Sequence, residues 1–244
     1  MKFGLVGMNS DCLRPLLDAR GLVVTDDLSK ADILISYGGD GTLIGAEREF
    51  PEVPKLGMRD ASAITKCAEH EDAVVLDRFL NGELAKTELM KITAFFGEHR
   101  LRGMNDIILR NSDVRSSVRF RVSVNGEMVS DETIGDGLVA ATPFGSSAYF
   151  RSITNTVTRS GIGLAFNNCT EFLHHLVLRS EDVVQVEIVR GPAQLTADNS
   201  PEVIDLGNDD TFVIRKSSRS AIVYGVDNLR CGQCRYSHAP RRRF

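Results

Sequence analysis

A run of glycines between an apolar segment and an amphipathic one is the feature that most constrains this fold. Gly38-Gly39-Asp40-Gly41-Thr42, here called the glycine turn, follows the apolar residues 31–37 and precedes the amphipathic residues 43–50. Strand, glycine-rich turn and helix in this order form the repeating unit of a parallel α/β sheet. Residues 2–6 and 54–58 are further strand candidates, so residues 1–85 are predicted to form an α/β domain.

From Leu89 onward the apolar pattern changes to period two, which is typical of strands. Asn125-Gly126 lies between two alternating segments and predicts a tight hairpin, because both central positions of such a turn favour a positive φ. Residues 86–244 are therefore predicted to form a mostly β domain. The strand candidates are residues 106–110, 118–124, 138–142, 183–189, 212–216 and 221–224.

The charge balance argues against several classes of partner. Among 244 residues, 33 acidic side chains outnumber 29 basic ones, which gives a net charge of −4. This balance provides no overall attraction to nucleic acid or to an anionic membrane, so an anionic ligand must be bound by a local site. No stretch approaches the roughly 18 apolar residues of a membrane span, and the apolar run at the N-terminus is too short for a signal peptide. We expect a cytoplasmic protein without nucleic-acid or membrane partners.

The cysteines do not predict a disulfide framework or a metal centre. The five cysteines are odd in number and scattered, whereas the disulfide framework of a secreted protein is dense and usually even. Cys231 and Cys234, with His238, have spacing like that of zinc ligands, but a tetrahedral site needs a fourth ligand and no second pair is nearby. We therefore predict reduced thiols and no protein-bound metal.

The glycine turn has the chemistry of a phosphate site. Glycines let backbone amides approach an anion closely, and the start of a helix adds partial positive charge. The alternative is a tight strand-to-helix turn in which Asp40 and Thr42 only cap the helix. A carboxylate 4 Å from a phosphate charge is repelled by about 4 kcal/mol at an effective dielectric constant of 20. Asp40 therefore needs a divalent cation beside it, or must face a hydroxyl group that attacks the phosphate, and both arrangements belong to phosphoryl transfer.

A second motif follows the strand candidate at 138–142. Thr142-Pro143-Phe144-Gly145-Ser146-Ser147-Ala148-Tyr149, here called the TPFGSSAY segment, places several small polar groups and one aromatic ring around a turn. That combination suits a nucleoside. The alternative is an ordinary Pro-Gly turn in which Ser146 caps a helix.

Together these motifs resemble those of the NAD kinase family. The glycine turn, Asn105-Asp106, Asp136-Gly137 and the TPFGSSAY segment occur in the family's order and at roughly its intervals. The resemblance implies a Rossmann-like N-terminal domain and a β-rich C-terminal domain. It also implies transfer of the γ-phosphate of ATP, with Mg²⁺, to the 2′-hydroxyl of the adenosine ribose of NAD, by a homodimer or homotetramer.

The resemblance also assigns roles to individual residues. Asp40 would be the general base. Gly38, Gly39, Gly41 and Thr42 would lie near the phosphates. The residues implied to bind the acceptor, NAD, are Asn105, Asp106, Asp136, Thr142, Ser146, Ser147, Ala148 and Tyr149.

Departures from the family pattern fall on the acceptor side and leave alternatives open. Asp106 replaces the usual glutamate, Phe144 replaces a small hydroxyl residue, and Asp198-Asn199-Ser200 replaces the usual Asp-Gly. One alternative is a related kinase whose acceptor is a sugar, a sphingoid base or another polyol. Another is a non-catalytic nucleotide-binding regulator, although a binding module does not need the carboxylate of Asp40 beside a triphosphate.

Arg119 and Arg121 form a further basic feature. They alternate with Phe120 and Val122, so both arginines share one face of a predicted strand. Such a face is usually solvated, but it could also attract phosphates.

Overall fold

The apolar segment before the glycine turn and the strand candidate at 54–58 form neighbouring parallel strands of one sheet. The computed structural model describes residues 1–60, 62, 67–171 and 173–229. Up to residue 89 its elements are β1 (Lys2–Val6), α1 (Arg14–Asp18), β2 (Val23–Val24), β3 (Ile33–Tyr37), α2 (Asp40–Glu49), β4 (Lys55–Met58), α3 (Asp72–Leu80) and β5 (Lys86–Leu89), with 3₁₀ turns at Ser10–Leu13, Leu28–Lys30 and Ala68–His70.

The segment from residue 90 to residue 220 folds into two antiparallel sheets of six strands each. The β9 sheet has the strand order β10-β9-β14-β17-β6-β7, and the β8 sheet has the order β13-β12-β11-β8-β15-β16. The elements are β6 (Ile92–Phe96), β7 (His99–Gly103), β8 (Asp106–Asn111), β9 (Val118–Val124), β10 (Glu127–Gly135), β11 (Gly137–Ala141), a 3₁₀ turn (Gly145–Ser147), α4 (Tyr149–Thr154), β12 (Ile162–Asn167), β13 (His175–Leu178), β14 (Val184–Arg190), β15 (Ala193–Ala197), β16 (Val203–Leu206) and β17 (Thr211–Lys216).

The last described elements are β18 (Ala221–Tyr224), which belongs to the first sheet, and the short helix α5 (Val226–Leu229). That sheet has the order β2-β1-β3-β4-β18-β5, with β18 parallel to β4 and antiparallel to β5. Among the described residues, the two compact units are therefore 1–89 with 221–229, and Met90–Ser220. The division expected from the sequence, 1–85 and 86–244, differs because it leaves residues 221–229 in the β-rich half.

Alternation along the strands explains the core of the second unit. Inward residues of the β9 sheet, such as Phe120 and Val186, share one buried cluster with inward residues of the β8 sheet, such as Leu109 and Leu164. On the opposite face of the β8 sheet, Phe150 of α4 belongs to a smaller buried cluster with residues of β11 and β12. The two sheets thus pack face to face, and α4 covers the outer face of one of them.

The hairpin predicted from Asn125-Gly126 is confirmed. Asn125 has φ +53° and Gly126 has φ +85°. They connect β9 to β10, with Val124 opposite Glu127. The predicted fold class, an α/β N-terminal region followed by a mostly β domain, is confirmed as well. In the described part of the chain, no helix is long and apolar enough to cross a membrane.

A buried ion pair fixes the helix that follows the glycine turn. Lys55, the first residue of β4, and Glu47, in the last turn of α2, are 0% and 3% exposed. The Lys55 ammonium donates a hydrogen bond to the Glu47 carboxylate and another, of 2.7 Å, to the carbonyl oxygen of Phe50. These bonds join the C-terminal end of α2 to the neighbouring strand. They therefore fix the position of the helix that begins at Asp40.

Removing one partner of this pair should destabilise the protein strongly. Glu47→Ala leaves the Lys55 ammonium buried without its carboxylate, and we expect a loss of about 3–5 kcal/mol in the free energy of unfolding. Glu47→Leu combined with Lys55→Met should recover most of that loss, since well-packed apolar side chains replace both charges. Urea denaturation followed by circular dichroism measures the effect, with the exposed Glu49→Ala as control. Equal losses in the single and double variants would contradict this role.

Candidate functional site

The glycine turn joins β3 to α2 in the first unit. The Gly38 amide donates a 2.8 Å hydrogen bond to the Met58 carbonyl oxygen of β4. Gly39 is extended, with φ −99° and ψ −170°, and α2 begins at Asp40 with no side-chain hydrogen bond to its cap. Gly39 is therefore the N-cap residue of α2, and Asp40 is an acidic residue in its first turn, where a negative charge interacts favourably with the helix dipole. The start of a helix is also a favourable place for a bound anion.

Two glycines of the turn have distinct steric surroundings. A Cβ atom on Gly38 would lie 2.3 Å from Thr42 Oγ1, whereas a Cβ on Gly39 would meet no heavy atom within 4 Å. Gly38 is therefore required by the Thr42 side chain, and Gly39 faces open space. Gly39 and Gly41 are exposed, while Asp40 and Thr42 are half-buried. The turn can accept a ligand against its backbone with one carboxylate beside it.

In the second unit, a single carboxylate organises the loop that carries Asn105 and Asp106. Asp198, which follows β15 and has φ +50°, accepts hydrogen bonds from three consecutive amides. These are the amides of Met104 at 2.7 Å, Asn105 at 2.7 Å and Asp106 at 2.9 Å. We call residues 104–106 the Asn105 loop. Asp198 was not among the expected site residues.

The Asn105 loop buries two polar side chains. Asp106 is 4% exposed and Asn105 is 8% exposed. Burial, together with the negative charge of Asp198, raises the pKa of Asp106 from its ordinary value of 3.8 to about 7. Asn105 Oδ1 has no hydrogen-bond partner among the described residues. Buried groups of this kind are costly, which makes them candidates for ligand contact.

Thr142 and Ser146 of the TPFGSSAY segment use their hydroxyl groups within the protein. Thr142 Oγ1 donates to the Met104 carbonyl oxygen at 2.6 Å and accepts from the Gly145 amide at 3.0 Å. Ser146 Oγ accepts from the Thr158 amide at 3.1 Å. These bonds attach the TPFGSSAY segment to the Asn105 loop and to Thr158, so both side chains position the segment.

Close packing at this junction also explains Gly145. A Cβ atom there would lie 2.1 Å from the carbonyl oxygen of Asn105, so only glycine fits.

Phe144, the departure from the family's small hydroxyl residue, is 7% exposed. The ring is thus part of the packing.

The remaining acceptor candidates lie at the end of the TPFGSSAY segment and beside β12. Tyr149 Oη accepts hydrogen bonds from Arg110 at 3.0 Å and from Asn167 at 3.3 Å. Asp136 accepts from Asn168 at 3.3 Å. The neighbouring residues Asn167 and Asn168 thus connect Tyr149 to Asp136. Ser147 is half-buried and Ala148 is exposed.

Cys169 follows Asn168 and is half-buried. Burial, with the negative charges of Glu171 and Asp136, raises the pKa of the Cys169 thiol to about 12. This shift disfavours the thiolate, which is the reactive form of cysteine.

No three His, Cys, Asp or Glu side chains form a metal-binding cluster within residues 1–60, 62, 67–171 and 173–229. Cys231, Cys234 and His238 lie outside the described residues.

Comparison with known proteins identifies the family. A profile of the ATP-NAD kinase C-terminal domain matches residues 104–226, which begin at the Asn105 loop. The NAD kinase of Clostridium beijerinckii is 30% identical to this chain over 217 residues, which cover 83% of this chain and 76% of that protein. The chain belongs to the NAD kinase family. The expected family and the expected class of enzyme, an ATP-dependent NAD kinase, are thereby confirmed.

Solved NAD kinase structures share the fold. An NAD kinase from Archaeoglobus fulgidus in complex with ATP superposes with a TM-score of 0.77 at 18% identity, covering 94% of this chain and 96% of that one. A yeast NADH kinase complexed with NADH gives a TM-score of 0.73 at 18% identity, covering 91% of this chain and 71% of that one. The two-unit architecture is therefore that of NAD kinases.

The pKa of Asp106 predicts a pH-dependent stability. Between about pH 4 and pH 7 the native protein keeps a proton that the unfolded chain releases, so the free energy of unfolding falls as the pH rises through this range. Asp106→Asn is uncharged throughout. We expect it to raise the free energy of unfolding by roughly 2–4 kcal/mol at pH 8 and to change it little at pH 4.

Urea denaturation at both pH values tests this expectation, with the exposed Asp205→Asn as a matched control. An Asp106→Asn variant that is less stable than the native protein at pH 8 would show that the carboxylate is favourably solvated or paired.

Proposed function

We propose that this chain transfers the γ-phosphate of ATP to the 2′-hydroxyl of the adenosine ribose of NAD, giving NADP. The observation that carries the proposal is the Asn105 loop, where a buried amide oxygen that has no partner among the described residues adjoins a buried carboxyl group. Two neighbouring ribose hydroxyls are suitable partners for such a pair, since a hydroxyl both donates and accepts hydrogen bonds. Membership of the NAD kinase family supports the same acceptor.

On the donor side, the glycine turn binds the phosphates of ATP. Backbone amides at the start of α2 donate to phosphate oxygens, and the partial positive charge of the helix N-terminus adds to the attraction. Gly39 allows close approach, because a side chain there would occupy the open space beside the turn. Thr42, one turn into α2, offers a hydroxyl group to the same ligand.

Asp40 acts as the general base. Its carboxylate stands at the first position of α2, beside the phosphates, and accepts the proton of the attacking 2′-hydroxyl late in the transfer. General-base assistance of this kind contributes about 10²- to 10⁴-fold to the rate. Positioning of the two substrates supplies most of the remaining acceleration, since phosphoryl transfer requires little covalent chemistry from the protein.

The residues at the glycine turn fit Mg²⁺ that enters with ATP. Mg²⁺ is usually bound through one or two carboxylates and the substrate's phosphates, and it keeps several waters. Asp40 is the carboxylate that this turn provides, and no three-residue acidic or histidine cluster accompanies it in the described ranges. When bound, Mg²⁺ neutralises charge on the phosphates and reduces their repulsion of Asp40.

The remaining roles concern NAD. Asn105 and Asp106 bind ribose hydroxyls, while Asp136, Ser147, Ala148 and Tyr149 contribute to the rest of the dinucleotide site. Thr142 and Ser146 hold these groups in place through their internal hydrogen bonds. The expectations of a cytoplasmic protein and of a homodimer or homotetramer belong to the same proposal, and sedimentation of the purified protein measures the oligomer.

The identity of the acceptor is tested directly. Purified protein with Mg²⁺ and ATP is incubated separately with NAD, NADH, a sugar, a polyol and a sphingoid base, and the products are separated by chromatography. We expect NADP from NAD. A different phosphorylated product without NADP would establish the alternative kinase. Calorimetric binding of NAD without transfer to any acceptor would establish the nucleotide-binding regulator.

Replacing Asp40 separates chemistry from binding. Asp40→Asn removes the base while keeping a side chain of nearly the same shape, so we expect kcat to fall by about 10²- to 10⁴-fold with KM for ATP little changed. Asp18→Asn, an exposed change in the same unit, should leave kcat unaltered. Asp106→Asn, in contrast, should raise KM for NAD by about tenfold at pH 8, because Asp106 is ionised above its pKa of about 7 and the variant then loses a charge-assisted hydrogen bond. Steady-state kinetics of the three variants measures these effects, and full turnover in Asp40→Asn would remove Asp40 from the mechanism.

A further inference from the structure

The outer face of the β9 sheet carries a basic surface around β6 and β7. On β6, the side chains of Ile92 and Ala94 point into the core, so Thr93 and Phe95 point outward. Thr93 lies directly opposite Arg102 of β7 on one side and Arg215 of β17 on the other. Phe95 lies opposite Arg100 of β7 in the next row. Strand pairing therefore gathers three arginines around two outward side chains.

These residues line a cavity without acidic groups. Its volume is about 520 Å³. Arg100, Arg102, Arg215 and Lys216 contribute four positive charges, and Thr93, Phe95 and two serines complete the lining. We call it the cationic cavity. All of its residues belong to the second unit.

The charges in the cationic cavity are not neutralised by neighbouring carboxylates. In the part of the chain that the structure describes, none of these four cations forms a salt bridge. Arginines at the other end of the same sheet behave differently, since Arg119 binds Glu132 at 2.9 Å and Arg121 binds Glu187 at 3.0 Å. The sheet therefore has acidic partners for some outward arginines and none for those in the cavity.

Two of the guanidinium groups are held in place by the Phe95 ring. The Cζ atom of Arg215 lies 4.4 Å from the ring centre, and that of Arg100 lies 4.9 Å from it. Arg100 also donates to the carbonyl oxygens of Gly97 at 2.7 Å and His99 at 2.8 Å. Cation–π contacts and hydrogen bonds thus orient these groups before any ligand arrives. The ring itself is engaged with the guanidiniums, so it is not available to stack on a nucleotide base.

We propose that the cationic cavity binds a small molecule bearing several phosphate groups. Guanidinium groups match phosphate geometry with paired hydrogen bonds, and the hydroxyls of Thr93 and the serines are further donors. The volume lies within the usual range for small-molecule sites. Four unpaired positive charges on a chain of net charge −4 favour a multiply charged anion over a single phosphate. The shared chemistry is a phosphate chain, whether inorganic or attached to a nucleoside.

Calorimetry with inorganic tripolyphosphate tests the proposal. Arg102→Gln combined with Arg215→Gln should weaken binding by about 100-fold, or about tenfold for each arginine. Arg190→Gln is the matched control, because Arg190 is an exposed arginine of the same sheet outside the cavity. We expect it to bind like the native protein. Binding should also weaken as the salt concentration rises.

Further ligands distinguish the source of the phosphate chain. The binding that the control variant keeps and the double variant loses is the binding at the cationic cavity. If ATP shows such binding, the ligand is a nucleotide. If only tripolyphosphate shows it, the ligand is an inorganic phosphate chain. Sulfate binding as tightly as tripolyphosphate would mean an adventitious ion only and would overturn the proposal.

Two further results would overturn it. The first is equal affinity of the double and control variants for tripolyphosphate, which would place that binding elsewhere. The second is a change in the sedimentation coefficient of the double variant with no phosphate binding by the native protein, which would make this face a contact between copies of the chain. The double variant should keep its NADP-forming turnover in the absence of tripolyphosphate, so failure of this inference is distinguishable from failure of the proposed kinase function.

Discussion

The loop that carries Asn105 and Asp106 depends on one carboxylate that satisfies three consecutive backbone amides. Leaving a buried amide without a partner costs about 1–3 kcal/mol, so an irregular loop can be buried between β7 and β8 only if something accepts its N–H groups. Asp198 does this for residues 104–106 from the end of β15. Its positive φ, tolerated by aspartate, turns the side chain towards the loop. The depth at which Asn105 and Asp106 are buried follows from this contact.

The same contact has an electrostatic cost. The charge on Asp198 that attracts three amides also raises the pKa of Asp106, in addition to the larger effect of burial. Beside Asp106, Asn105 Oδ1 has no partner in the part of the chain that the structure describes. A fold selected for stability alone would avoid both features, since unpaired buried polar groups are penalised. Local conflicts with the general rules of folding are expected where a ligand provides the missing interactions, and the Asn105 loop has two such conflicts.

Sequence patterns predicted local structure better than partners distant in the chain. The glycine turn and the Asn125-Gly126 hairpin follow from backbone preferences of a few adjacent residues, and both were correct. The pattern of residues 221–224 predicts a strand but contains nothing that selects β4 and β5 as its neighbours, so its membership of the first sheet was missed. Asp198 was missed for a similar reason, because it lies 92 residues from Asp106.

The arginine-bearing strands show why a charge pattern needs sheet pairing before it indicates a binding surface. Arg100 and Arg102 have the same alternating spacing as Arg119 and Arg121, and the sequence drew attention only to the second pair. In the structure, strands next to β9 provide Glu132 and Glu187, which neutralise that pair. Strand β6 instead presents Thr93 and Phe95 to the first pair. Identical spacing thus yields a solvated ion-pair network at one end of the sheet and an uncompensated cationic surface at the other.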